Sequence, residues 1–174
     1  MTVNYTMLAG AAVAPFIPAL VDLYAIVYAE PPYEEGPDQV ARFAASLPDE
    51  AGRPGFTVVT AIQEDNLVGA AYGWTMQAGV WWSRADAEPD RELLAASKVA
   101  VMEWIVHPDH RRQGIGAELM RLLLVGRSEA WATLASDPRS VAHRLYERAG
   151  WRKVGTSHLP WGPVMDLLVL PLPV

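Results

Sequence analysis

The order of secondary-structure signals predicts an α+β fold: a strand, two helices, three strands, a helix, a strand, a helix and two closing strands. Two observations carry this. Apolar residues switch between helical and alternating spacing along the chain, with Pro and Gly clusters at the switches. The chain of 174 residues, 51% of them hydrophobic, is long enough for one well-buried core and short for two. Residues 1–174 therefore read as a single domain, with no internal repeat and no low-complexity segment.

Asn4 to Leu8 fits a short first strand. From Phe16 to Glu30, Ile17, Leu20, Val21, Tyr24, Val27 and Tyr28 recur at helical spacing, with Pro15 suited to the first turn. Pro31-Pro32 and Gly36-Pro37 break that helix, and Asp38 is placed to cap a second one with Val40, Phe43, Ala44 and Leu47 on its apolar face. The loop between them is acidic and aromatic. Pro48 to Gly55 reads as a linker. Phe56 to Ile62 and Leu67 to Trp74 then flank Glu64-Asp65-Asn66 as a β-hairpin.

Residues 79–97, with Trp81-Trp82 and a charged segment from Arg84 to Glu92, read as a surface loop or short helix. Lys98 to Val106 has the β-branched, apolar character of a buried central strand, interrupted by Glu103. Ile115 to Arg127 is helical by the spacing of Ile115, Leu119, Leu122 and Leu123, and Trp131 to Ala135 is another strand. Ser140 to Ala149 forms a helix that Gly150 ends. Trp151 to Gly155 and Val164 to Leu170 supply the last strands; the final one is mostly apolar and is a candidate surface for a homodimer.

Composition removes several function classes. There is no cysteine, which excludes disulfides, thiolate metal sites and cysteine nucleophiles and gives no sign of an oxidising compartment. The N-terminus lacks a basic segment ahead of an apolar core, and no apolar run approaches the ~20 residues of a membrane span. A cytoplasmic protein without a membrane partner is expected. A net charge of −6 argues against nucleic acid as a partner. His107 and His110 lack a partner at ligand spacing, so no metal is expected.

Against this acidic background the stretch from Val106 to Gly116 stands out. Pro108 ends the preceding strand, Gly114 and Gly116 let the main chain turn tightly and approach a ligand, and a helix follows. Amides at a helix N-terminus carry roughly half a positive charge collectively, and Arg111 and Arg112 add planar donors suited to phosphate oxygens. The turn is built for an anion.

Three segments taken together resemble the GNAT superfamily of acyl-CoA-dependent N-acetyltransferases. Arg111-Arg112-Gln113-Gly114-Ile115-Gly116 is similar to the family's pyrophosphate-binding pattern. It follows Glu103-Trp104-Ile105-Val106-His107-Pro108, similar to the strand ending of many members. Ala142-His143-Arg144-Leu145-Tyr146-Glu147-Arg148-Ala149-Gly150-Trp151 resembles a family segment with Leu-Tyr-Glu, a basic residue, and Gly before an aromatic. The resemblance implies a single-domain GNAT-like fold, a central mixed, mostly antiparallel sheet of about six to seven strands flanked by about four helices. The N-terminal half, which usually selects the acceptor, matches in shape only.

The resemblance further implies acetyl-CoA as co-substrate. Its pyrophosphate would sit on the amides of residues 111–116, and its pantetheine arm would run beside Trp104, Ile105 and Val106. An amide of Val106 or Ile105 is then the candidate for the oxyanion. Arg139 stands where many members carry an Asn that helps hold the pantetheine arm, a departure from the pattern. Tyr146 matches the usual general acid for the leaving thiolate. Glu103, a carboxylate on a buried strand, is the candidate base or ammonium anchor. Tyr33, Trp74, Trp81 and Trp82, with Glu34, Glu35 and Trp161, are candidates to line the acceptor site, because acidic and aromatic groups suit a cationic amine with an apolar body. The expected activity is acetyl transfer to a primary amine of a small molecule by direct attack in a ternary complex. Protein or peptide N-acetylation and a non-catalytic acyl-CoA sensor are the alternatives.

Overall fold

The computed structural model describes residues 2–160 and 162–174; Trp161, named above for the acceptor site, lies outside them. The described strands are β1 (Asn4–Leu8), β2 (Thr57–Gln63), β3 (Asn66–Met76), β4 (Lys98–Val106), β5 (Trp131–Ser136), β6 (Arg152–His158) and β7 (Val164–Pro171). The described helices are α1 (Ile17–Tyr28), α2 (Pro37–Ala51), α3 (Arg91–Ala95), α4 (Ile115–Leu124) and α5 (Val141–Arg148). The predicted α+β order is present, with the five-residue α3 added. The sheet is seven-stranded and mixed, in the order β1-β2-β3-β4-β5-β7-β6. β2 pairs antiparallel with β1 and β3, β7 pairs antiparallel with β5 and β6, and β4 pairs parallel with β5. By its internal contacts the chain forms two compact units, Met1–Trp74 with Met102–Val125, and Thr75–Val101 with Gly126–Val174.

In the first unit, α1 is preceded by a 3-10 segment, Gly10–Phe16; Pro18, not Pro15, occupies the first turn of α1. The two make a helical stretch of 19 residues, Gly10–Tyr28, long and apolar enough by length and composition to cross a membrane. The expectation that no run approaches that length is corrected, because the chain stays helical through the connection. In the fold Val13, Leu20, Leu23, Tyr24 and Val27 are buried, and α1 packs on α2.

Helix α2 starts two residues earlier than predicted. Gly36, in extended conformation, precedes its first turn, and the Gly36 amide donates to Oε1 of Gln39 at 3.1 Å. Asp38 is therefore not the cap but an acid inside the first turn, where the helix dipole favours it. The helix also continues through Pro48 to Ala51, so the expected linker is partly helical. The donor missing at Pro48 is offset by tertiary contacts: Leu47 is fully buried, and Glu50 accepts from Tyr72 Oη at 2.7 Å and Ser46 Oγ at 3.2 Å.

The β2–β3 hairpin turns at Glu64 and Asp65, both at positive φ, as a two-residue turn matched to strand twist requires. Helix α4 then packs on β2 and β1. Gly69 on β3 lets it sit there. A Cβ at that position would stand 2.9 Å from Leu119 Cδ1, 3.2 Å from Ile115 Cγ2 and 3.3 Å from the Ile105 carbonyl. The missing side chain thus sets the seat of the helix whose N-terminus follows the basic turn.

In the second unit, Asp90 caps α3 by accepting from the Leu93 amide at 2.9 Å. The other end of α3 is held by Lys98, which is fully buried. Its Nζ donates to the carbonyls of Leu93, Leu94 and Ala96 at 3.1, 3.3 and 2.6 Å, the groups a helix end leaves open. β4 thus carries two charged interruptions rather than one, and burial lowers the Lys98 pKa. β7 is bonded along both edges, to β5 and β6. Its backbone is used within the sheet, so its apolar sequence is not the sign of an open dimer edge. The parallel register of β4 with β5 covers Lys98–Ala100 against Trp131–Thr133.

Overpacking at a site as close as Gly69 costs about 1–3 kcal/mol. Gly69→Ala is predicted to lower the free energy of unfolding by that amount in a denaturant titration, without changing the slope of the transition. An unchanged midpoint would show that α4 is not seated by this contact.

Candidate active site

The turn between β4 and α4 begins with a 3-10 segment, Pro108–His110, capped by His107. His110 Nδ1 lies 3.0 Å from Gln63 Oε1, which ties the turn to the end of β2. Arg112 follows at φ 59° and Gly114 at φ 80°. A non-glycine residue in the left-handed region costs about 1–2 kcal/mol and persists where the surroundings enforce it, often around a ligand. The Glu118 amide bonds to the Gly114 carbonyl at 3.1 Å, so the amides of Ile115, Gly116 and Ala117 precede the first intrahelical bond and have no helical acceptor.

The two glycines serve different ends. A Cβ on Gly114 would meet nothing within 4 Å; the position requires Gly for its positive φ and leaves open space before the amides. At Gly116 a Cβ would stand 3.0 Å from Trp104 Cζ2, and the Trp104 indole donates to the Gly116 carbonyl at 2.7 Å. Gly116 has no room for a side chain because Trp104 packs on it. Trp104 thereby clamps the second half of β4 to the first turn of α4.

The arginines also differ. Arg111 pairs with Glu30 at 2.7 Å and donates from Nε to the Val106 carbonyl at 3.2 Å. Its guanidinium is directed to the end of α1 rather than held open for phosphate. Arg112 is exposed on the turn, as is Gln113, whose Nε2 reaches the Asp109 carbonyl at 3.5 Å.

On β4, Glu103 is half-buried and accepts a 2.5 Å hydrogen bond on Oε2 from the phenol of Tyr28. Its pKa is raised to about 8, the net of burial, which raises it most, the Tyr28 bond, which lowers it, and the negative charges of Glu50 and Glu35, which raise it. Two further phenol–carboxylate pairs stand around it. Tyr24 donates to Glu35 at 2.5 Å and Tyr72 to Glu50 at 2.7 Å. The rings pack as a cluster: Tyr24 lies 4.3 Å from Tyr28 and stacks on Phe43 at 3.9 Å, and Tyr33 meets Tyr28 edge-on at 4.8 Å. All three phenols are shifted upward by burial and by Glu103, so they remain donors across the working pH range. Trp74 is buried with the Arg53 guanidinium 4.5 Å over its ring.

Sequence reasoning missed Tyr24, Tyr28, Tyr72 and Glu50, placing the first two in the apolar face of helix one. The available signal was chemical: tyrosine at two successive turns of a core helix carries hydroxyls that need acceptors when buried, and Glu34-Glu35 follow in the next loop.

In the second unit, Ser140 Oγ accepts from the His143 amide at 3.1 Å and starts α5. Tyr146 is buried and meets Trp151 edge-on at 5.6 Å. Arg139 Nε and Nη2 grip Asp137 at 3.0 and 2.7 Å. The first and largest cause of the lowered Asp137 pKa is this hydrogen bonding, so the side chain standing in for the family's usual Asn is committed to a buried carboxylate. Trp81 and Trp82 line an open hollow of about 400 Å³ with Asp86, Glu88 and Leu94, and the Trp82 indole donates to Thr133 Oγ1 at 3.0 Å. Tyr33 and Trp74 thus belong to one unit and Trp81 and Trp82 to the other. Among the described residues no group of three or more His, Asp or Glu is placed to hold a metal ion.

A family model for the acetyltransferase (GNAT) family matches residues 20–151. No curated protein matches the sequence at a significant level. Solved structures share the fold. A protein of Pyrococcus horikoshii OT3 superposes with a TM-score of 0.70 at 18% identity, covering 99% of this chain and 100% of that one. The PaiA N-acetyltransferase of Thermoplasma acidophilum, in complex with coenzyme A, gives 0.64 at 12%, covering 99% and 100%. An aminoglycoside 6'-acetyltransferase type Ii gives 0.66 at 16%, covering 100% and 99%. With the family model spanning most of its length, the chain belongs to the GNAT acetyltransferase family and is an acyl-CoA-dependent acetyltransferase with acetyl-CoA as its co-substrate.

Proposed function

We propose that the chain acetylates a primary amine of a small molecule, by direct attack of the amine on the donor within a ternary complex. The observation that supports this reading is Glu103: a half-buried carboxylate with its pKa raised to about 8, bonded to Tyr28 and surrounded by the Tyr24–Glu35 and Tyr72–Glu50 pairs. Three carboxylates among aromatic rings attract a cation with an apolar body, and an amine arrives as an ammonium that must lose a proton before it can attack.

The turn fits the donor's pyrophosphate. The open space before Gly114 and the amides that precede the first bond of α4 would receive it, with Arg112 as the exposed cation beside them. The pantetheine arm is proposed to run beside Trp104, Ile105 and Val106, a course supported by the family match. Bound acetyl-CoA supplies the acetyl group as a thioester.

Glu103 accepts the proton from the acceptor ammonium. The nitrogen then forms its bond to the acetyl carbon, the carbon–sulfur bond breaks, and the departing sulfur takes a proton. Tyr146 is the proposed source of that proton, a role supported by the match of residues 142–151 to the family segment. The nitrogen sheds its second proton as the amide forms, and that proton restores the Tyr146 phenol; the products are the N-acetylated amine and free CoA, with the ammonium's first proton left on Glu103.

A carboxyl whose pKa is raised to about 8 is about one-tenth ionised at pH 7, and its ionised fraction grows as pH rises through 8. The kcat/KM for the amine is predicted to climb through that range and level above it. Glu103→Gln is predicted to lower kcat/KM by about 10²–10⁴-fold, the usual scale for loss of a general base, and to remove the Glu103 component of the climb. A peptide turned over faster than every small amine in a broad panel would contradict the acceptor assignment.

Tyr146→Phe is predicted to cut turnover while leaving CoA affinity within a factor of about two; equal loss of both would make Tyr146 a packing residue instead. Saturating CoA, at 100-fold over its dissociation constant, stabilises a folded protein by about 2.7 kcal/mol. The melting temperature of the wild type is predicted to rise accordingly. In Gly114→Val, where a β-branched residue must take φ 80°, that rise is predicted to vanish; a rise of the same size would place the pyrophosphate elsewhere.

A further inference from the structure

We infer that Tyr28 is a positioning residue for acetyl transfer: bound to Oε2 of Glu103, its phenol fixes the carboxylate and leaves Oε1 to receive the proton of the acceptor ammonium. This rests on the assignment of Glu103 as base. Tyr28 sits on the last turn of α1, 75 residues from its partner along the chain. Its ring is held from two sides, by Tyr24 at 4.3 Å and by Tyr33 edge-on at 4.8 Å. With the ring held by these two neighbours, its hydroxyl donates to Glu103.

The bond discriminates between the two forms of the carboxyl. A hydrogen bond to a charged acceptor is about twice as strong as one to a neutral group, so Tyr28 favours ionised Glu103. The other titratable groups around Glu103 act the opposite way. Glu35 from the loop after α1 and Glu50 from α2 carry negative charge toward it, while Tyr24 from α1 and Tyr72 from β3 stay protonated because burial and Glu103 itself raise them. Burial and two carboxylates push the base toward its inactive, protonated form, and Tyr28 is the group that opposes them. Without it the fraction of Glu103 ionised at pH 7, about one-tenth with the bond in place, would fall further.

The test is the pH dependence of kcat/KM for wild type, Tyr28→Phe and Glu103→Gln. The probes are acetyl-CoA and the fastest primary amine in a panel of aliphatic monoamines, diamines and arylalkylamines. Phe keeps the ring and its two aromatic contacts and removes only the donor. The rising limb of Tyr28→Phe is expected to move up by about one pH unit, so that activity falls about tenfold at pH 7 and recovers at high pH. A uniform loss at every pH, or a limb left where the wild type has it, would overturn the inference. Should Tyr28→Phe fail to fold, as read from its melting curve, Tyr28→3-fluorotyrosine supplies a stronger donor and is expected to move the limb down; a limb that stays in place overturns the inference equally. Glu103→Gln separates the two levels. If it keeps the wild-type limb, or if no amine in the panel is turned over, the assignment of Glu103 as base fails. If it loses the limb while Tyr28→Phe keeps it, only the role of Tyr28 fails.

Discussion

A carboxylate drawn partly out of water on a sheet strand sets the terms for the first unit. Ionised Glu103 in that position is costly unless it is bonded, and the bond comes from Tyr28. That requirement accounts for tyrosine rather than leucine at position 28 of a core-facing helix, and the phenols of Tyr24 and Tyr72 meet Glu35 and Glu50 beside it. The same cluster concentrates negative charge among aromatic rings, the chemistry that a cationic amine answers. Stability and function press on these residues in opposite directions: replacing Glu103 by an apolar residue would relieve the burial but remove the base, a pattern common where proteins hold perturbed titratable groups.

The basic turn is organised from its second glycine as much as from its first. Gly114 supplies the left-handed corner that points the amides outward, and Gly116 accommodates the Trp104 indole. Trp104 is the immediate neighbour of Glu103 on β4. The strand that carries the base is therefore fastened to the helix whose N-terminus receives the phosphate, and Gly69 beneath Leu119 and Ile115 fixes the seat of that helix. Donor end and base are parts of one packed body within the unit, not features of separate loops.

How much of this was legible in the sequence follows from the range of the forces involved. β1 and β4 have the predicted bounds, since alternation and β-branching are local. The βα turn was legible for the same reason: Pro108, Gly114 and two arginines act through their own backbone. The prediction failed where a distant contact overrode a local signal. Pro48 does not end α2, because Leu47 is buried and Glu50 is held by Tyr72 from 22 residues away. Asp38 is not the cap, because Gln39 reaches back to the Gly36 amide instead. The core of the candidate site was the least legible part, since its hydrogen bonds span 11, 22 and 75 residues. Glu103 could be singled out as a charge in an apolar strand, but nothing near it in sequence names its partner.

The central claim is physical: Glu103 is held by its surroundings on the edge of ionisation at neutral pH. A carbon-detected NMR titration of side-chain-labelled glutamate, with Glu103 assigned by its loss in Glu103→Gln, reads this directly and without substrate. A carboxyl midpoint close to pH 8 is the predicted result. A midpoint at the ordinary glutamate value of about 4.3 would contradict the account, because burial and the neighbouring carboxylates would then not hold Glu103 above a solvated carboxylate.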